Sequence, residues 1–135
     1  MSQSNILVVE DDDAIRSLLI ETLKECTRVS VDGARDGVDA LHHVSGGRYG
    51  LVILDLMMPY MTGIDFLDSL QAMVSDPSIR GMASLPAVIV VTGAPQEQVP
   101  DRVLEARFPS MVRRVMRKPV NVEELERCVA AELHG

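Results

Sequence analysis

The stretch Leu51-Val-Ile-Leu-Asp55-Leu-Met-Met-Pro59 decides how this chain is read. Four consecutive aliphatic residues without polar alternation predict a strand buried on both faces, the pattern of a parallel sheet covered by helices on either side. A carboxylate directly after such a run serves no packing purpose. In open parallel sheets, ligands bind just beyond the carboxyl ends of the strands. Asp55 is therefore expected to be presented at a site, with Pro59 turning the chain away behind it.

Working outward, the chain alternates strand and helix patterns five times. Ile6-Leu-Val-Val9 predicts a short buried strand. Ile15, Leu18, Leu19, Leu23 and Cys26 recur at helical spacing, with Asp12 or Asp13 as cap. Val29 and Val31 predict a short strand closed by Gly33. Ala40, Leu41 and Val44 mark a second helix ended by the Gly46-Gly47 pair. Leu51 to Leu54 is the third strand, and Phe66, Leu67, Leu70, Met73 and Val74 form one face of a third helix. Pro86 to Val91 predicts a fourth strand ending at Thr92. A fourth helix is expected to start near Pro100, and Met111 to Met116 reads as a fifth, marginal strand. Asn121 caps the last helix, with Glu124 in the capping-box position and Val122, Leu125, Cys128, Val129 and Leu133 inside. Such alternation predicts an α/β fold, a parallel sheet with helices on both faces.

Composition sets the bounds. At 135 residues and 47% hydrophobic content the chain is one domain with a core sufficient to fold unaided. Its longest apolar runs are strand length, so no membrane span is expected. The N-terminus lacks the regions of a signal peptide, and a cytoplasmic location is expected. Cys26 and Cys128 sit at apolar helix positions and are expected as buried reduced thiols. A net charge of −7 and only four aromatics (two Tyr, two Phe, no Trp) argue against direct nucleic-acid binding.

The chemistry lies at the strand ends. The first predicted strand ends in Glu10-Asp11, the third in Asp55, the fourth in Thr92 and the fifth in Lys118-Pro119. In a parallel sheet these ends share one edge, so five polar side chains can meet in one crevice. Three carboxylates brought close together repel unless a cation intervenes. A hard divalent ion with oxygen ligands, Mg²⁺ on this reading, resolves that repulsion. Carboxylate, Mg²⁺, lysine and hydroxyl together suit a phosphoryl group: nucleophile, charge neutralisation and oriented donors.

These residues resemble, in order, the marks of the receiver domains of bacterial two-component response regulators. The acidic pair lies in Val8-Val9-Glu10-Asp11, and the acceptor motif Asp55-Leu-Met-Met-Pro59 is followed by Gly63. The hydroxyl stands in Val91-Thr92-Gly93, and Lys118-Pro119 closes the set. The resemblance implies a flavodoxin-like (βα)5 doubly wound sheet of strand order 2-1-3-4-5. It also implies that Asp55 accepts phosphate from a sensor histidine kinase or phosphotransfer protein. Asp11, Asp55 and the Met57 main-chain carbonyl would ligate Mg²⁺, with Glu10 acting largely through water. Lys118 would pair with the modified side chain, and Thr92 would swing toward the phosphoryl oxygens. On this reading the chain is a signalling phosphoacceptor rather than an enzyme, at most slowly phosphorylating itself from small donors and losing the group again.

The chain departs from the family at Val115, three residues before Lys118, where receivers usually carry an aromatic. Signalling is then expected to use backbone movement or another side chain. Arg113, Arg114, Arg117 and Lys118 place four cations on the fifth strand of an acidic protein. In the implied topology that strand is an edge, where charge discourages aggregation; the alternative is a docking patch for an acidic downstream partner. The polar stretch Ser75 to Gly81 is expected as an extended loop, and His42, His43 and His134 as surface residues. Met57, Met58 and Met61 are expected to pack the loop after Asp55.

The whole of 1–135 is expected to form one receiver domain without an output domain, a module cut from a longer protein being the alternative. Two other functions stay open. An aspartate-dependent Mg²⁺ phosphatase would also form a phosphoaspartate, but it needs an acidic residue where Met57 stands. A degenerate receiver would act as a constitutive binding module. Neither a GxGxxG nor a GxxxxGK[ST] motif occurs, which disfavours a nucleotide-binding fold.

Overall fold

A computed structural model describes residues 5–46, 49–58, 60–75, 86–93 and 101–134. Its elements run β1 (Asn5–Val9), α1 (Asp13–Cys26), β2 (Val31–Ala34), α2 (Gly37–Gly46), β3 (Tyr49–Asp55), α3 (Gly63–Ser75), β4 (Ala87–Thr92), α4 (Asp101–Arg107), β5 (Val112–Arg117) and α5 (Val122–His134). The strands form one sheet in the order β2-β1-β3-β4-β5, and each neighbouring pair is parallel. The parallel sheet is the one expected from the strand-helix alternation, and its doubly wound order, with β2 and β5 at the edges, is the one the resemblance implied.

The unbroken apolar runs resolve into two faces once the strands are paired. Leu7, Val9, Val52, Leu54, Val88 and Val90 point into one core with Val44 of α2, Phe66, Leu67 and Leu70 of α3, and Leu104 of α4. Ile6, Val8, Leu51, Ile53, Ile89 and Val91 point into the other, beneath Leu19 and Leu23 of α1 and Leu125 and Val129 of α5. Successive side chains leave a strand on opposite sides, so a strand covered on both sides must be apolar at every position.

Several expectations need correction. On α1 the buried stripe runs through Leu19 and Leu23, with Ile20 packed beside them, whereas Ile15, Leu18 and Cys26 are exposed. The helix turned by one position buries 19, 20 and 23 instead of 15, 18 and 26. Cys128 is buried as expected. Gly33 lies inside β2 rather than closing it, paired with Val8. A Cβ there would lie 2.8 Å from Ile20 Cδ1 and 3.1 Å from Arg16 Cδ, so the missing side chain lets α1 settle close to the sheet. Val122 is also exposed, since it occupies the first turn of α5 before the inward stripe begins.

The caps behave as expected. Asp12 Oδ1 accepts from Ile15 N at 2.9 Å, and Asn121 Oδ1 accepts from Glu124 N at 2.9 Å. Each satisfies one of the amides orphaned at a helix start. Val74, the stretch from 76 to 81, Pro100 and His134 have side chains or placements outside the described residues.

Candidate functional site

Each of the five expected side chains is delivered by the end of a strand. Glu10 follows β1, and its N–H is held by Ala34 O of β2 at 3.1 Å. Asp55 is the last residue of β3, paired with Val91 of β4. Thr92 closes β4, and its main-chain oxygen accepts from Lys118 N at 2.9 Å, which ties the chain beyond β5 to the same edge. The Lys118-Pro119 bond is cis.

Four of the five side chains expected to meet, those of Glu10, Asp11, Asp55 and Lys118, come together, and Thr92 is buried at the end of the neighbouring strand β4. A carboxylate oxygen from each of Glu10, Asp11 and Asp55 lies within 4.8 Å of the other two. Lys118 Nζ donates to Glu10 Oε1 at 3.0 Å and to Asp55 Oδ2 at 3.1 Å. Glu10, Asp55 and Thr92 are buried, at 2%, 4% and 0% exposure, while Asp11 stands on the exposed rim. Buried ionised groups survive only when paired or coordinated, and the lysine supplies the pairing.

The electrostatics follow from this crowding. Burial, and after it the hydrogen bond and charge of Glu10, push the Asp11 carboxyl above its usual value. For Lys118, burial alone would lower the pKa, but hydrogen bonds and charges from Glu10 and Asp55 outweigh it and the ammonium is held more firmly than usual. A second cation among these oxygens would relieve the remaining repulsion. The donor set is hard carboxylate oxygen, suited to Mg²⁺ or a similar ion.

The segment after Asp55 is shaped by two contacts. Met57 N donates to Asp55 Oδ1 at 3.0 Å, and Gly63 N donates to Leu56 O at 3.0 Å. A Cβ on Gly63 would sit 2.7 Å from Leu56 Cα, so only glycine allows α3 to start this close to the acceptor strand. Met58 and Met61 pack into the core as expected, but Met57 does not, being 63% exposed beside Asp55. Tyr60 is the one non-glycine residue with positive φ among the described residues, at 69°, and it projects into solvent.

The cations of β5, and Lys118 just beyond it, separate by role. Lys118 belongs to the acidic site. Arg113 Nε lies 3.8 Å from Glu132 Oε1 of α5, and Arg114 lines a groove with Glu124, Arg127, Cys128 and Ala131 of the same helix. Two successive residues reach one helix because the β4–β5 register shifts, pairing Val88 with Val112 but Ile89 with Arg114. Arg117 is partly buried opposite Thr92, and Val115 packs against the α2–α3–α4 core.

Arg16 belongs to this edge without belonging to any motif. Its Nη1 donates to Glu10 O at 2.8 Å, and its Nη2 pairs with the Asp13 carboxylate. The signal in the sequence was a cation at the head of the inward stripe Arg16, Leu19, Ile20, Leu23, where an amphipathic helix calls for an apolar residue. The two histidines of α2 differ. His42 is exposed, but His43 is partly buried, with Nδ1 2.9 Å from Asp39 O and its ring edge-on to Tyr49.

Comparisons with known proteins agree with this geometry. Residues 6–130 match the model of the response regulator receiver domain. The response regulators MprA of Mycobacterium sp. strains KMS and JLS are each 34% identical over 120 residues, which is 89% of this chain and 46% of theirs. The chain thus spans about half the length of the curated relatives it matches. A CheY-like receiver domain from Methylobacillus flagellatus superposes with a TM-score of 0.77 at 24% identity, covering 97% of this chain and 99% of that one. The response regulator TrrA of Thermotoga maritima, solved in complex with Mg(2+)-BeF, gives 0.74 at 27% identity, covering 96% and 99%. No helix among the described residues is long and apolar enough to cross a membrane. With an acidic pair after β1, a carboxylate ending β3, a hydroxyl ending β4 and a lysine beyond β5, on a sheet ordered 2-1-3-4-5, the chain belongs to the response regulator receiver domain family.

Proposed function

We propose that this chain accepts a phosphoryl group on Asp55 and passes the signal on by a change in protein–protein binding. The donor is a phosphohistidine on a sensor histidine kinase or phosphotransfer protein. A carboxylate oxygen of Asp55 attacks phosphorus as the bond to the histidine nitrogen breaks, and the imidazole leaves with the electron pair. Glu10, Asp11, Asp55 and the main-chain carbonyl of Met57 would hold Mg²⁺, Glu10 largely through water. The ion supplies charge neutralisation at the phosphoryl oxygens. Lys118 stays paired with the modified Asp55, and the Thr92 hydroxyl donates to a phosphoryl oxygen.

The observation that carries this reading is the bridge of Lys118 between Glu10 and Asp55 at 3.0 and 3.1 Å, in a cluster of three carboxylates. Phosphorylation replaces the single negative charge of the Asp55 carboxylate with a phosphoryl group of about two, a net gain of about one negative charge beside that ammonium. The outcome is a redistribution of cation contacts at a site that is under 5% exposed at Asp55. The reading makes the chain a cytoplasmic signalling phosphoacceptor, with turnover limited to slow self-phosphorylation from small donors and slow loss of the group.

Output is proposed to run through β5 and its flanking helices. Val115 replaces a large ring at the position facing the core, so the movement of Thr92 is passed on through the backbone of β5, whose residue Arg117 is its register partner. Arg113, Arg114 and Arg117 then meet an acidic surface on the downstream protein, and reversing Arg113 and Arg114 to Glu weakens that association and its salt dependence.

The phosphatase alternative needs an acid at position 57, and an exposed thioether cannot donate the proton. The degenerate-receiver alternative conflicts with the presence of all five site residues. Incubation with acetyl phosphate and Mg²⁺ followed by intact mass measurement tests the proposal. The expected result is one phosphate adduct, acid-stable and base-labile, that disappears in Asp55→Asn and when the metal is chelated. An adduct that survives in Asp55→Asn rejects it.

A further inference from the structure

The β1–α1 segment carries two of the three carboxylates, and its backbone is gripped from both sides. Glu10 N donates to Ala34 O of β2 at 3.1 Å. Glu10 O lies beyond the last ladder pairs of β1, at Val9, and takes its donor from Arg16 Nη1 at 2.8 Å. Arg16 also pairs with Asp13, which binds together the two ends of the acidic run Glu10 to Asp13. Its side chain is only 16% exposed, on the sheet-facing stripe of α1, an expensive place for a guanidinium unless its donors are used. Room for its stem exists because β2 carries Gly33 there, where a Cβ would lie 3.1 Å from Arg16 Cδ and 3.4 Å from its Cγ.

We infer that Arg16 is a positioning residue for the divalent cation. It fixes the Glu10 carbonyl so that the carboxylates of Glu10 and Asp11 stay converged on Asp55 against their own repulsion. The inference rests on the Mg²⁺ site described above. Arg16 touches neither the ion nor the phosphoryl group; it lowers the cost of holding like charges together before the ion arrives. Groups that orient the ligands of a metal typically alter its affinity by about ten- to a hundredfold when removed.

Isothermal titration of the full chain with MgCl₂ tests this directly, without phosphorylation. Arg16→Met keeps the stem and removes the donors, and about tenfold weaker Mg²⁺ binding is expected. Arg16→Lys restores one donor and returns the affinity to within about threefold of the parent. Val129→Ala, a deletion in the core under α5, lowers the unfolding temperature but leaves Mg²⁺ affinity unchanged. Gly33→Ala retains Arg16 while crowding its stem, so it weakens Mg²⁺ binding in the same direction and decides the matter should Arg16→Met fail to fold. Parent-like affinity in a folded Arg16→Met, or an equal loss in Val129→Ala, overturns the inference and leaves the phosphoacceptor reading standing. Absence of Mg²⁺ binding by the parent chain overturns both.

Discussion

Lys118 places its ammonium nitrogen 3.1 Å from Asp55 Oδ2, joining two residues 63 positions apart in the sequence. The same nitrogen reaches Glu10 at 3.0 Å, 108 positions away. One cation thus holds together the ends of three strands. Removing it leaves two buried carboxylates and the nearby Asp11 without a counter-charge.

Lys118→Met is therefore expected to destabilise the chelator-treated protein by about 2 kcal/mol, less than for a fully buried pair because Lys118 is 28% exposed. Added Mg²⁺ should recover part of that loss, since it neutralises the same oxygens. Urea unfolding with EDTA and with excess MgCl₂ measures both quantities. Equal stability of variant and parent in EDTA would show that the lysine is not the counter-charge.

Gly63 and Gly93 both lie beside the site, yet alanine should affect them differently. At Gly63 the new methyl meets Leu56 Cα at 2.7 Å and Asp55 O at 3.2 Å, backbone atoms that cannot step aside. Gly63→Ala should cost about 2–3 kcal/mol and slow phosphorylation, because the loop after Asp55 must move. At Gly93 the nearest atom is Lys118 Cδ, an ordinary contact at 3.9 Å. Gly93→Ala should change stability by less than about 0.5 kcal/mol. Denaturation midpoints of the two variants provide the comparison.

Tyr49 predicts a pH dependence. Its hydroxyl donates to Asp32 Oδ2 at 2.7 Å, and burial first, then that bond and the charge of Asp32, push its pKa above the ordinary tyrosine value. A raised folded-state pKa means the stabilisation is fully present below the unfolded value of about 10 and is lost as pH rises through the folded value. Tyr49→Phe should cost about 1 kcal/mol at pH 8 and progressively less above pH 10. The latest part of the tyrosinate absorbance rise should also vanish, a readable change in a chain with two tyrosines and no tryptophan.

Asn121→Ala removes the acceptor that satisfies Glu124 N and should cost about 1 kcal/mol. The cap lies one residue beyond Val120 and outside the acidic cluster, so phosphorylation of Asp55 should proceed at the parental rate. Thermal unfolding and the acetyl phosphate assay, run on the same sample, separate the two effects.

Strand runs, helix stripes and caps were readable in the residues because each depends on near neighbours: Ile6 to Val9, Leu51 to Leu54, Asp12 and Asn121 carry local signals. The motif residues Glu10, Asp55 and Thr92 were readable as well, since they end apolar runs where packing alone would not place them, whereas Lys118 follows the charged Arg113 to Arg117 and stood out only through the motif it completes. Less legible was anything set by the rotation of one element against another. Ile15 and Leu18 have the spacing of a buried face, yet α1 turns Leu19, Ile20 and Leu23 inward because Gly33 admits that stripe and Arg16 heads it. Likewise, Arg113 and Arg114 read as edge charges or a docking patch, and only the register shift against β4 shows that both lie toward α5.

The order of residues alone determined the α/β class, the five repeats of strand and helix, and which side chains stand at strand ends, since periodicity and capping act over a few positions along the chain. Tertiary structure decided the distances: 3.0 and 3.1 Å from Lys118 to two carboxylates, and 2.8 Å from Arg16 to the Glu10 carbonyl. Those lengths depend on how strands pair and how closely a helix lies on a sheet, and such long-range packing leaves no periodic trace in the order of the residues.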